Sequence, residues 1–145
     1  MNPKGVVISA SAWSVKETID RLQAFLTQHG ATIYARINQQ EEVNKAGQNI
    51  LPLEYILFGN PRAGGPIMAE NPLAALDLPL KVIALEDSEK KVWLAYNDAS
   101  YIEERYSLSH MPNSPLNIGN LISVALKKQR QQSAPCRIIS NDTIS

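Results

Sequence analysis

KVIALEDSEKKVWLAYN, running from Lys81 to Asn97, contains two short apolar runs on either side of a charged break. Lys81 to Glu86 and Val92 to Asn97 are rich in Val, Ile, Leu, Trp and Tyr, which suit a pleated, half-buried surface. The Asp87-Ser88-Glu89-Lys90 tetrad between them reads as a turn, so the stretch predicts an antiparallel hairpin. Upstream, LEYILF (Leu53 to Phe58) is another β-favouring run, ended by Gly59-Asn60-Pro61. Before it, TIYARIN (Thr32 to Asn38) alternates Ile33, Ala35 and Ile37 with Thr32, Tyr34 and Arg36. That period of two predicts a strand with one core face and one solvated face. Four successive strands can form an antiparallel meander.

The flanks complete the pattern. Gly5 to Ala12 (GVVISASA) reads as a first strand, with Val7 and Ser9 on one face and Val6 and Ile8 on the other. Ser14 and Glu17 form a Ser-x-x-Glu capping box. Val15, Ile19, Leu22 and Leu26 follow at helical spacing until Gly30 offers a left-handed stop. Gln39 to Ala46 allows a short helical segment closed by Gly47. From Gly59 to Pro79 the chain is crowded with prolines and glycines, which predicts a loop with at most a short helix opening at Pro66. Ser100 with Glu103 predicts a short helix through Tyr106. Ser114-Pro115 predicts a last helix striped with Ile118, Leu121, Ile122 and Ala125. The expected class is α+β in the order β-α-β4-α, a meander with helices on one face. Residues 1–131 form one domain and 132–145 a polar tail expected to be flexible.

Composition narrows the function classes. A chain of 145 residues with 44% hydrophobic and 19% charged residues is long and apolar enough for one core without disulfide or metal staples. Fourteen basic residues balance fourteen acidic ones, so no net field points to nucleic acid or an anionic membrane. No stretch of about eighteen apolar residues suggests a membrane span. The single cysteine, Cys136, allows no internal disulfide, and the cytoplasm is the expected compartment.

The strings EYILFGNPRAGGPIM, AALDLPLKVIALED, VWLAYND and EERY resemble the family called domain of unknown function 302 (DUF302), over about Gly5 to Leu126. The resemblance implies a TATA-binding-protein-like β-α-β4-α fold and a tendency to dimerise. It assigns no activity, and the fold name implies no DNA binding, because function lives in sites rather than folds. Relatives often carry Asp-His where this chain has Asn38-Gln39, and Arg-His where it has Arg105-Tyr106. A metal-binding or proton-transfer role resting on those imidazoles is therefore not carried over.

Candidate chemistry is sparse. His29, His110 and Cys136 are scattered without metal-ligand spacing, so no metal or cofactor is expected. Ser109 and His110 are adjacent, but adjacency alone does not align a nucleophile with a base. The Gly59 to Pro66 loop lacks the Gly-Lys-Ser/Thr of a phosphate loop, although Arg62 and exposed amides at Gly64 and Gly65 could meet an anion. Asp77 lies in an apolar segment, where it either caps a turn, pairs with a nearby cation, or acts in a cleft beside Arg62 or Lys81. Tyr34, Arg36, Tyr55, Trp93 and Tyr96 could make a stacking surface but read more simply as packing residues. The expectation is a small-ligand site built from Asn60, Arg62, Gly64, Gly65, Asp77, Lys81 and Tyr96, in a homodimer. An oligomeric interaction module and an uncharacterised enzyme are the alternatives.

Overall fold

A computed structural model describes residues 2–127; the expected tail, including Cys136, lies outside the described residues. Five strands form one antiparallel sheet: β1 (Val6–Ser11), β2 (Thr32–Asn38), β3 (Leu53–Gly59), β4 (Leu80–Glu86) and β5 (Val92–Asn97). Their spatial order is β1-β5-β4-β3-β2. The expected meander runs from β2 to β5, and β1 closes the far side by pairing with β5. The β4–β5 turn is organised by Asp87. Its Oδ1 accepts the Glu89 and Lys91 backbone N–H groups at 2.8 and 2.9 Å, and its Oδ2 accepts the Trp93 indole N–H at 2.9 Å.

Helix α1 (Val15–Gln28) covers one sheet face. Ser14 caps it by accepting from the Glu17 N–H at 3.0 Å, and Gly30 leaves it at φ +83°. Val15, Ile19, Leu22 and Leu26 pack on Ile56, Phe58, Val82, Ala84 and Leu94, and burying each large aliphatic contributes roughly 1.5–3 kcal/mol. Helix α2 (Gln39–Lys45), capped by Asn38, buries none of its side chains. Helix α5 (Gly119–Ala125) adds Ile122, and Ile118 just before it, to the same core. It starts later than Ser114-Pro115 predicts, because the Ser114 hydroxyl closes a local turn by accepting the Leu116 N–H at 3.1 Å.

Strand β2 departs from the expected facing. Ile33 lies opposite Phe58 on the helix-covered face, but a register shift between Ile33 and Ala35 places Ala35 opposite Leu57 and Ile37 opposite Tyr55, on the other face. Arg36, expected on the solvated side, thus lies opposite Ile56 under α1. The bulge adds one residue at Tyr34, and a one-residue slip inverts every later side chain. The inverted arginine is satisfied: it donates to Glu54 at 3.0 Å, to Asp20 at 2.6 Å and to Gln23 at 3.1 Å. Glu54 is only 6% exposed, so this pairing neutralises a buried carboxylate.

The opposite sheet face has no comparable cover among the described residues. One row crosses all five strands: Ile8, Ala95, Ile83, Tyr55 and Ile37, each the register partner of the next. A second row holds Ala10, Trp93, Leu85 and Leu53.

Candidate functional site

The segment expected to be a loop is mostly helical. Strand β3 ends at Gly59, Asn60 is extended, and its Oδ1 accepts the Arg62 N–H at 2.9 Å. With Pro61 supplying the first helical φ, α3 runs Pro61–Glu70, five residues earlier than an opening at Pro66. Gly64 and Gly65 are interior helical residues, and Pro66 removes only one of the helix's own donors. Burial of Ile67 against Ile102, Tyr106 and Leu116 overrides the breaker composition. Asn71 ends α3 and caps the 3-10 turn Pro72–Asp77 by accepting the Leu73 N–H at 3.1 Å. Its Nδ2 donates to the Tyr106 carbonyl at 2.7 Å, tying this segment to the end of helix α4 (Ala99–Arg105). Asp98 rather than Ser100 caps α4, through the Tyr101 N–H at 3.3 Å.

This geometry uses up the amides that an anion would need. The Ala63 and Gly64 N–H groups donate to the Asn60 carbonyl at 2.9 and 2.8 Å, Arg62 N–H is taken by Asn60 Oδ1, and Pro61 has none. Arg62 itself is exposed.

What α3 does build is a cavity of about 360 Å3 between its inner face, the end of α1, the end of β3 and the start of α5. Leu26, Phe58, Ile67, Met68, Leu80 and Leu121 supply apolar wall. Asn60, Asn117, His29 and Tyr34 bring the polar atoms, and no acidic side chain lines it. His29 Nδ1 is 2.9 Å from the Phe25 carbonyl, and the ring stacks on Phe25 at 4.1 Å.

A smaller recess of about 230 Å3 lies on the other side of Leu78, Pro79, Leu80 and Ile118, which line both spaces. Asp77, Lys81, Tyr96 and Asn97 make it polar. Asp77 Oδ2 accepts from the Tyr106 hydroxyl at 2.5 Å and pairs with Arg105 at 3.0 Å. That hydrogen bond to Asp77, followed by burial, raises the Tyr106 phenol above its ordinary pKa, and burial does the same to Tyr96. Lys81 instead lays its ammonium 4.9 Å over the Tyr55 ring.

The seven expected residues therefore divide. Asn60 and Gly64 line the larger cavity, Asp77, Lys81 and Tyr96 the smaller recess, and Arg62 and Gly65 neither. Asp77 is held by Arg105 and Tyr106, not by Arg62 or Lys81. Sequence reasoning missed Asn117, Met68 and Leu121 as cavity residues; the signal in each case was helical or turn context that brings residues far apart in the chain together. Ser109 and His110 diverge, the hydroxyl donating to Glu70 at 2.9 Å and the imidazole lying 3.2 Å from Glu103. Among the described residues, no three His, Cys, Asp or Glu side chains converge as a metal site would require.

The sequence profile described as "Domain of unknown function DUF302" matches residues 7–139. The chain is 38% identical over 104 residues to "Fluoride-specific ion channel FluC 1" of Brucella suis and to the protein of the same description from Brucella abortus. The match covers 72% of this chain and 41% and 38% of those proteins, so the chain spans about two fifths of these curated relatives. No helix among the described residues is long and apolar enough to cross a membrane, and the channel description stays with those proteins. A crystal structure of an uncharacterized conserved protein DUF302 from Bacillus stearothermophilus matches with a TM-score of 0.72 at 17% identity, covering 86% of this chain and 97% of that one. A likeness at that identity speaks to the fold.

Proposed function

This chain belongs to the DUF302 family, and because membership brings a fold without an assigned chemistry, we propose its function from the cavity: it binds a small, largely apolar molecule there, as a homodimer. The observation that carries the reading is the cavity's size and lining. About 360 Å3 falls in the range of small-molecule sites, and an apolar wall with a few polar groups is their usual composition. At about 30 Å3 per water volume it has room for a ligand of roughly a dozen non-hydrogen atoms. The anionic ligand expected from Arg62 finds no support in the lining, which contains neither arginine nor lysine.

The dimer reading rests on the open sheet face. A face five strands wide and about six residues long measures roughly 24 by 20 Å. With side-chain relief added, that approaches the scale of a standard interface, about 800 Å2 per partner. A second copy presenting the same rows would cover Ile83, Tyr55, Trp93 and Leu85 in both chains.

Methionine-methyl carbon-13 NMR tests the cavity, because Met68 lines it and Met111 does not. Adding butylbenzene should shift the Met68 methyl and leave Met111 in place, and Ala63→Leu, enlarging a wall residue, should suppress the shift. A Met68 signal that does not respond, or an equal response from Met111, would overturn the reading.

A further inference from the structure

Resting on that cavity reading, we propose that Gly64 sets the width of the cavity and reserves it for a ligand whose apolar body is a ring rather than a slim chain. Gly64 lies in the interior of α3, where glycine is a poorer helix former than alanine, and it lines the cavity. The usual structural reasons for a glycine do not apply to it. Its φ is not positive; among the described residues the glycines with positive φ are Gly5, Gly30 and Gly47. Its N–H is already committed to the Asn60 carbonyl at 2.8 Å, so it is not kept bare for a ligand to reach that amide. A Cβ built there would meet only the Met68 Cε, at 3.7 Å, an ordinary van der Waals contact. Met68 lines the cavity as well, so the methyl that Gly64 lacks is missing from the cavity wall.

The neighbouring residues extend that space. Ala63 also lines the cavity, so this turn of α3 presents a shallow notch before Ile67 and Met68 rise from the next one. On the β3 wall stands Phe58, whose ring offers offset or edge-to-face contact to another ring. A ring held between Phe58 and the bare turn uses the extra width, whereas an extended alkyl chain, narrower than a ring, does not need it. Met68 adapts the fit, because its unbranched thioether has three rotatable bonds and its methyl borders the same notch. Gly65 supplies the control. It too is interior to α3, nothing lies within 4 Å of the place its Cβ would take, and it does not line the cavity.

The test compares Gly64→Ala with Gly65→Ala, using butylbenzene as the ring-bearing probe and octan-1-ol as a chain of similar size. Affinity is read from the Met68 methyl shift of the full chain. Gly64→Ala should melt about 2–4 °C above the parent, because alanine is the better helix former. It should nonetheless bind butylbenzene about tenfold more weakly, the low end of what one methylene decides in an apolar pocket, and lose less than about threefold for octan-1-ol. Gly65→Ala should bind both probes as the parent does. A more stable protein that binds less well separates lost space from a damaged fold. If Gly64→Ala melts below the parent, keeps its butylbenzene affinity or loses both probes equally, or if Gly65→Ala loses as much, the inference is overturned while the cavity reading stands. If neither probe moves Met68 in the parent, the cavity reading itself fails and the inference goes with it.

Discussion

Ile83 sits on β4, the middle strand of the five, at the centre of the row Ile8, Ala95, Ile83, Tyr55 and Ile37 on the uncovered face. Replacing it by glutamate should dissociate the proposed dimer while leaving the protomer folded. Its neighbours Val82 and Ala84 belong to the core under α1, whereas Ile83 points the other way and remains partly accessible in the single chain. In a two-fold interface each substitution counts twice. Losing the burial of one isoleucine removes roughly 1.5–3 kcal/mol per copy, so about 3–6 kcal/mol per dimer before any penalty for burying two like charges. At 1.4 kcal/mol per decade, that weakens the dissociation constant by roughly two to four orders of magnitude. Sedimentation velocity at tens of micromolar should give a dimer for the parent and a monomer for Ile83→Glu, with far-UV circular dichroism unchanged. A monomeric parent would refute the dimer, and a dimeric variant would refute the use of this face.

Two further outcomes follow from the ion pairs beneath α1. Arg36→Leu strands Glu54, 6% exposed, without its partner and should destabilise the fold by about 3 kcal/mol, while Arg36→Leu with Glu54→Leu should recover most of the loss; urea unfolding reads both. Asp20 is held below the ordinary carboxylate pKa by its hydrogen bonds to Lys16 and then Arg36. A lowered folded-state pKa means that the contribution is fully present above the unfolded value of about 3.9 and is lost as pH falls through the folded one. The parent's melting temperature should therefore fall more steeply than that of Asp20→Asn as the solution is acidified below about pH 4, and parallel curves would refute the assignment.

Much of this architecture could be read in the chain because the signals were local. The apolar runs of β4 and β5 on either side of the charged turn, the Ser14 cap and the Leu22–Leu26 stripe each sit within one or two adjoining elements, and the structure keeps them. The failures were those where a distant partner decides. The bulge at Tyr34 leaves no mark in TIYARIN, yet it turns Arg36 inward, where only Asp20 and Glu54, supplied by other elements, make it acceptable. Gly64, Gly65 and Pro66 argue locally against a helix, and α3 forms because Ile67 has a hydrophobic cluster to enter and Asn60 and Asn71 cap either side. The site was legible in part. Asn60 and Gly64 were identified as candidates, but for an anion that the helix's own hydrogen bonds leave no amides to hold. Asn117 and Met68 enter only through the packing of α5 and α3 against β3 and β4.

The pairing of β1 with β5 also bears on how the chain is made. Synthesis proceeds from the N-terminus, so of the five described strands the earliest to emerge is one whose partner among them, Val92–Asn97, is encoded about eighty to ninety residues later. At ~5–20 residues per second, β1 waits roughly 5–20 seconds for it on the ribosome. During that interval β2, β3 and β4 can zip as successive neighbours, while VVISAS stays an unpaired, apolar edge strand of the kind that invites pairing between chains. Moving the N-terminal eleven residues to follow β5 through a linker would shorten that wait, and the yield of soluble protein from such a permuted chain would measure how much the delay matters in the cell.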